Sequence, residues 1–222
     1  MQVLMTKAAY QRVGERLATV APGAEVVTVV SADAYEWDGR SIDAAAIDAE
    51  AIWFSLDSYA GGLMGALVGR ALKSPSARWV QVFSAGIDAP IFSTIMEKGL
   101  RMSRSSAQAI PIAEYVVAHA LSLQVPIAQQ ARLQREHSWK STPYRELAKT
   151  RWLLIGYGNI GREIAQRIKP FGVDLTVVRH SSGAAELADR TLTLKDLPGV
   201  LPEADVVVLA PALNDETRGM CD

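Results

Sequence analysis

Residues 151–178, RWLLIGYGNIGREIAQRIKPFGVDLTVV, decide the fold of the second half of the chain. They comprise an apolar strand, a Gly-X-Gly-X-X-Gly turn, a segment with helical spacing and a second strand, which together predict a dinucleotide-binding βαβ unit. Gly156 permits a tight turn, Gly158 lets the backbone approach a pyrophosphate, and Gly161 allows the helix to pack closely on the strand. The cofactor-binding residues expected in this turn are Gly156, Tyr157, Gly158, Asn159, Ile160 and Gly161.

The end of the second strand bears on the choice of cofactor. In NAD sites a carboxylate about 20 residues beyond the glycines binds the ribose 2′-hydroxyl. Here Arg179 occupies that place, 18 residues after Gly161, within the run VVRHSS. An arginine can pair with a 2′-phosphate instead, and His180, Ser181 and Ser182 could add donors. We therefore predict that NADP(H) is favoured over NAD(H); the alternative is a basic strand end without discrimination.

The first half of the chain shows another alternation of strands and helices. Predicted strands at 3–5, 25–30, 51–55 and 79–83 alternate with predicted helices at 8–20, 63–73 and 91–98, which indicates a parallel sheet covered on both faces. From Pro111 a long helical stretch runs to about residue 137, and Pro126 should kink it. The pattern changes near residues 103–110, so we expect two domains, 1–105 and 106–222.

Composition excludes several classes of function. Lys and Arg total 23 against 24 Asp and Glu, so the net charge of -1 offers no basic field for nucleic acid. Only twelve residues separate Asp57 from Arg70 in the most apolar segment, fewer than the roughly 20 that span a membrane. A single cysteine, Cys221, and an N-terminus without a long apolar run favour a cytoplasmic location. No metal-ligand cluster, nucleophile elbow or phosphate loop is found, so we expect neither a metal site nor a hydrolase.

Four blocks of sequence carry a family resemblance. They are FSAGID (83–88), AIPIAEYVVAHAL (109–121), LLIGYGNIGREIAQRIKPFG (153–172) and EADVVVLAPALNDETRG (203–219). Together they resemble the D-isomer-specific 2-hydroxyacid dehydrogenases, which include glyoxylate/hydroxypyruvate reductases and phosphoglycerate dehydrogenases. The resemblance covers residues from about 50 onward and is only architectural before that. It implies an α/β protein with a flavodoxin-like substrate domain at 1–105, a Rossmann dinucleotide-binding domain at 106–222, and a cleft for hydride transfer to a 2-keto acid.

The resemblance also assigns further site residues. Backbone amides of the FSAGID loop would hold the substrate carboxylate, whereas the same residues read alone are a strand-end turn. The loop after VVVLAP would approach the cofactor's ribose. The helix from Pro111 resembles the family's dimer-forming helix and implies a homodimer, although an apolar helix alone is more often core. The residues so assigned are Ser84, Ala85 and Gly86 for the substrate and Ala210, Pro211 and Thr217 for the cofactor.

The family's catalytic histidine, glutamate and arginine come after the VVVLAP strand, and the sequence stops at Asp222 before their motifs. His119, His137 and His180 lie elsewhere, so no catalytic residue is assigned in this chain. Only 67 residues run from Gly156 onward, which predicts at most four of the six Rossmann strands and little dehydrogenase activity from this chain alone.

Two functions remain open at this stage. One is an NAD(P)-dependent oxidoreductase acting on a small 2-keto or 2-hydroxy acid such as glyoxylate or hydroxypyruvate. The other is a catalytically impaired nucleotide-binding or regulatory homologue. Measurable turnover would distinguish them, because a regulatory homologue binds nucleotide without transferring hydride.

Overall fold

Each half of the chain folds around its own mainly parallel sheet. The computed structural model describes residues 1–180 and 183–220. The chain divides into two units, Met1–Ser106 and Ala107–Asp222. The mixed α/β architecture predicted from the alternation of strands and helices is confirmed in both units.

The first unit has the strand order of a flavodoxin-like fold with one added hairpin. Its sheet runs β4-β3-β2-β1-β5-β6-β7, and without the antiparallel β3 and β4 the remaining parallel strands follow the flavodoxin order 2-1-3-4-5. This confirms the expected fold class for the first unit. The elements are β1 (Gln2–Thr6), α1 (Lys7–Val20), β2 (Glu25–Val29), β3 (Tyr35–Trp37), β4 (Arg40–Ile42), a 3-10 turn (Ala44–Ala46), β5 (Ala51–Phe54), α2 (Leu56–Ala60), α3 (Met64–Lys73), β6 (Trp79–Val82), α4 (Pro90–Glu97) and β7 (Arg101–Ser103).

Alternation along β1 separates the two cores of this unit. Leu4 faces a large cluster beneath α3 and α4, whereas Val3 and Met5 face a smaller one beneath α1. Helix α1 begins at the end of β1 because the Thr6 hydroxyl accepts a hydrogen bond from the Ala9 amide at 3.1 Å. The sheet is therefore buried on both faces, as its apolar strands require.

The second unit contains four of the six strands of a Rossmann sheet. Its four parallel strands lie in the order β10-β9-β8-β11, which corresponds to 3-2-1-4 of the six-stranded Rossmann order. The incomplete Rossmann sheet expected from the sequence is confirmed for the part of the chain that is described. The elements are α5 (Ala109–Gln124), α6 (Ile127–Arg135), β8 (Arg151–Ile155), α7 (Asn159–Ile168), β9 (Asp174–Val178), β10 (Arg190–Leu192), α8 (Leu197–Val200) and β11 (Val206–Leu209), with 3-10 turns at Lys169–Phe171, Leu194–Asp196 and Leu201–Glu203.

The prediction of a single kinked helix over residues 111–137 is wrong in one respect, because the structure has two helices there. Helices α5 and α6 meet at an angle of 63° around Pro126. Proline disfavours helical geometry in the residue before it, and Val125 is accordingly extended with ψ 124°. Within residues 1–180 and 183–220, no single helix is long and apolar enough to cross a membrane, although this bent pair passes that test by length and composition when joined.

The core of the second unit is built around β8. Trp152 is 1% exposed, and its indole N–H donates to the Thr150 hydroxyl at 3.0 Å, which in turn donates to the Leu147 carbonyl. Helix α7 buries Ile164 and Ile168 at helical spacing against the same face of the sheet. This packing fixes the direction in which α7 leaves the turn after β8.

Candidate functional site

The turn between β8 and α7 has two positions where only glycine fits. Gly156 has φ +97°, and a Cβ there would stand 2.4 Å from the Ala210 carbonyl oxygen. A Cβ on Gly161 would stand 2.3 Å from the Gly156 carbonyl oxygen. The first glycine thus allows the chain to turn against the end of β11, and the third brings α7 close to the turn.

The second glycine of the motif faces open space. Gly158 is the N-cap of α7, and a Cβ built on it would meet no atom within 4 Å. No side chain caps the helix, so the amides of its first turn are left for solvent or a ligand. An uncapped helix N-terminus with room in front of it is the arrangement that binds pyrophosphate, and these residues therefore fit a dinucleotide.

A cavity of about 300 Å³ lies at the carboxyl ends of the strands beside this turn. It brings together seven of the residues predicted from the sequence, contributed by the glycine turn, the end of β9 and the loop after β11. The remaining lining residues are Ile155, Val178, Leu194, Ala212, Asn214 and Glu216. The seven predicted ones are Gly156, Tyr157, Gly158, Arg179, His180, Pro211 and Thr217.

The other predicted cofactor residues do not line this cavity. Asn159, Ile160 and Gly161 form the first turn of α7, and Ala210 lies behind Gly156. Ser181 and Ser182, predicted as additional donors, lie outside the described residues.

Arg179 extends from the end of β9 without a carboxylate partner among the described residues. Its guanidinium lies 5.9 Å from the centre of the Tyr157 ring, and Nη1 is 3.5 Å from the Gly183 carbonyl. A second arginine, Arg162 on α7, lies at the same distance of 5.9 Å from that ring. Arg162 was not predicted from the sequence, although an arginine directly after the last glycine of the motif was a signal for it.

A carboxylate also lines the cavity. The Glu216 Oε2 atom lies 3.7 Å from the Nε2 atom of His180, and both side chains are exposed. An exposed pair of this kind contributes little to stability. Glu216 pairs with His180 and forms no ion pair with Arg179 among the described residues.

The loop after β11 holds its own shape. The Asn214 side-chain oxygen accepts hydrogen bonds from the amides of Glu216 and Thr217, each at 3.0 Å, and the Thr217 hydroxyl donates to the Ala212 carbonyl at 2.7 Å. Such an Asx turn orders a short loop without secondary structure. Thr217 is thereby fixed at the wall of the cavity.

In the first unit, the FSAGID loop follows β6, and Ala85 and Gly86 in it are exposed. The Ser84 hydroxyl donates to the Gly86 carbonyl at 2.7 Å, and the Arg104 guanidinium donates to the Ala85 carbonyl at 3.3 Å. No hydrogen bond is found to the amides of Ser84, Ala85 or Gly86 within the described ranges. Engaged carbonyls and unengaged amides, with an arginine beside them, form a loop suited to a small anion.

A larger open groove lies elsewhere. It measures about 970 Å³ and runs between α1 and the β3–β4 hairpin of the first unit. The ion pair of Lys7 with Glu36, 2.7 Å apart, borders it. None of the predicted site residues lines this groove, so size alone does not identify the site in this chain.

The second unit matches a known family of dinucleotide-binding domains. Residues 117–222 match the family model described as "D-isomer specific 2-hydroxyacid dehydrogenase, NAD binding domain". Over these residues the chain matches the NAD-binding domain of the D-isomer-specific 2-hydroxyacid dehydrogenase family. This agrees with the resemblance seen in the four sequence blocks.

Individual members of the 2-hydroxyacid dehydrogenase family are similar over much of the chain. A hydroxypyruvate reductase of Thermotoga maritima is 28% identical over 136 residues, covering 60% of this chain and 44% of the reductase. A solved family member from Aeromonas salmonicida superposes with a TM-score of 0.73 at 23% identity, covering 97% of this chain and 65% of that one. An NADPH-dependent glyoxylate/hydroxypyruvate reductase of Sinorhizobium meliloti, solved with NADP and sulfate, gives 0.71 at 19%, covering 99% and 65%.

These matches show how much of the length and fold of its relatives this chain shares. The chain spans less than half the length of the first curated relatives and about two thirds of the solved ones. At these identities the solved structures establish the fold of the dehydrogenase family, and the chemistry of this chain has to be argued from its own residues.

Proposed function

We propose that this chain binds NADP(H) in its second unit and takes part in hydride transfer between that cofactor and a small 2-keto or 2-hydroxy acid. The observation that carries the proposal is the uncapped N-terminus of α7 behind a turn that tolerates no side chain at Gly156 or Gly161. Bound NADPH supplies the hydride. The chain's own residues bind the pyrophosphate through amides of the turn and border the ribose with Thr217.

Preference for NADP(H) over NAD(H) rests on the charge at the end of β9. An acidic residue there would accept a hydrogen bond from the 2′-hydroxyl of NAD. Arg179 would instead donate a charge-assisted hydrogen bond to the 2′-phosphate of NADP, which offsets the desolvation of that phosphate. The NADP-bound reductase of Sinorhizobium meliloti lends support. Calorimetric titration of the chain with NADPH and NADH tests this preference, and equal dissociation constants would contradict it.

The substrate proposed is a small 2-keto acid such as glyoxylate or hydroxypyruvate. Its carboxylate would be bound by the amides of Ser84, Ala85 and Gly86, for which no hydrogen bond is found within the described residues, and such a nest of amides requires no buried charge. The hydroxypyruvate reductase of Thermotoga maritima supports this class. Loss of NADPH absorbance on adding either acid would support the dehydrogenase; tight NADPH binding with no turnover for any small 2-keto acid would favour the regulatory alternative.

We also propose that the chain forms a homodimer through α5. This helix is apolar on several faces, and Ile110, Tyr115 and Leu123 remain exposed on it. Exposed apolar side chains concentrated on one helix are typical of an association surface. Sedimentation equilibrium measures the assembly state directly.

A further inference from the structure

Two arginines are held against one aromatic ring beside the cofactor cavity. The guanidinium carbons of Arg162 and Arg179 each lie 5.9 Å from the centre of the Tyr157 ring, and so are separated by at most twice that distance. Tyr157 is only 9% exposed, and its hydroxyl accepts a hydrogen bond from the Leu187 amide at 3.4 Å. The ring is therefore a fixed platform on which both cations rest.

The charge of these arginines is not compensated within the described part of the chain. No ion pair is found for Arg162 or Arg179, whereas Arg167, on the same helix as Arg162, pairs with Glu163 and Glu114. Arg162 is the fourth residue of α7, and a cation in the first turn opposes the helix dipole. The first turn of α7 also contains no acidic residue. Two cations without an ion-pair partner among the described residues therefore lie near a helix N-terminus, each in contact with one buried ring.

We infer that Arg162, together with Arg179, binds the ribose 2′-phosphate of NADP(H). Tyr157 is the positioning residue that holds both guanidinium groups in place. The inference rests on the proposed function. A phosphate monoester carries nearly two negative charges and three acceptor oxygens, so guanidinium groups can bind it from two sides. Arg162 does not line the cavity itself and would act on the part of the ligand that extends beyond it. NAD(H) has no phosphate there, so its affinity does not depend on Arg162.

The test compares dissociation constants for NADPH and NADH by calorimetry in the full chain. Arg162→Gln weakens NADPH binding roughly tenfold, the equivalent of one charge-assisted hydrogen bond, and leaves NADH binding unchanged. Arg179→Gln likewise weakens NADPH binding and leaves NADH binding unchanged. Arg135→Gln is the matched control, because it removes the same charge from an exposed position on α6 without affecting either constant. Thermal melting shows that each variant is folded.

The aromatic platform is tested by two substitutions at Tyr157. Tyr157→Leu lowers the preference for NADPH over NADH, and Tyr157→Phe, which keeps the ring, restores it. A ring with only a structural role would instead change both constants by the same factor when replaced by leucine, and that result would overturn the positioning role.

The failures of the inference and of the proposed function are distinguishable. Unchanged NADPH binding in Arg162→Gln, together with weakened binding in Arg179→Gln, overturns the role of Arg162 and leaves the proposed NADP preference standing. Equal affinity of the unsubstituted chain for NADPH and NADH overturns the preference itself. Absence of binding to both dinucleotides overturns the proposed cofactor site.

Discussion

The α-carbon of Gly156 lies so close to Ala210 that a methyl group on it would stand 2.4 Å from the Ala210 carbonyl oxygen. Gly156→Ala must therefore separate the turn from the end of β11 and also adopt φ +97°, which alanine disfavours. We expect a loss of about 3 kcal/mol in the free energy of unfolding, from backbone strain and the clash together. Urea denaturation measures it. An unchanged midpoint would show that the backbone relaxes without cost.

Gly158→Ala is the matched substitution two residues further along. A Cβ at Gly158 meets no protein atom within 4 Å, and its φ of -81° suits alanine. We expect unfolding free energy to change by less than about 0.5 kcal/mol. Dinucleotide binding should weaken by roughly tenfold or more, because the methyl group occupies the space that the pyrophosphate needs. Normal affinity in this variant would mean that the phosphates lie elsewhere.

The ionised carboxylate of Asp57 is expected to stabilise the first unit, and this stabilisation should be lost in acid. Burial raises the pKa of Asp57, but hydrogen bonds from Ser55, Arg12 and Thr6 outweigh that effect and hold the pKa below its ordinary 3.8. The hydroxyls of Thr6 and Ser55 are both buried and donate to the same carboxylate oxygen at 2.9 and 2.8 Å.

A carboxyl with a lowered folded pKa contributes its stability above the unfolded pKa and loses it as pH falls through the folded one. Asp57→Asn should therefore cost about 1 to 2 kcal/mol at neutral pH, and less in acid. Denaturation of both proteins from pH 7 downward tests this. The difference in unfolding free energy between the unsubstituted chain and the variant should shrink below about pH 4, near the ordinary pKa of an aspartate. A difference independent of pH would assign the effect to shape and not to charge.

The proposed dimer surface is tested at Leu123, which is 86% exposed at the end of α5. Leu123→Glu places a charge in the apolar surface, and desolvating that charge on association should shift the chain to monomer. Val20→Glu, at an apolar position on α1 that is 70% exposed, provides the control and should leave assembly unaltered. Sedimentation equilibrium reads the result. A dimer that persists in the Leu123 variant would exclude this part of α5 from the interface.

Long periodic segments were predictable and short strands were not. The βαβ unit of 151–178 and the fold class of both units follow from apolar runs that a sheet must bury. The β3–β4 hairpin was missed because strands of three residues show no alternation. Its signal was the Asp38-Gly39 pair, where both residues have positive φ, 49° and 72°, as a two-residue hairpin turn requires. Helix α2 and the short strands β7 and β10 were missed for the same reason of length.

The candidate site was predictable only as far as motif positions reach. Gly156, Gly158 and Gly161 follow from their spacing, and the structure shows a steric need for glycine at Gly156 and Gly161. Arg162 carries no motif of its own. Its relation to Arg179 depends on the placement of the Tyr157 ring, which is a property of packing between α7 and the end of β9.

The burial of Trp152 gives the second unit an intrinsic optical probe. Its indole is shielded and hydrogen-bonded, whereas Trp139 in the same unit is fully exposed. Iodide in solution should quench the emission of Trp139 and spare the shorter-wavelength emission of Trp152. Replacing the three tryptophans of the first unit, Trp37, Trp53 and Trp79, would leave fluorescence that follows the second unit alone. The opening of the nucleotide-binding half could then be timed without a label.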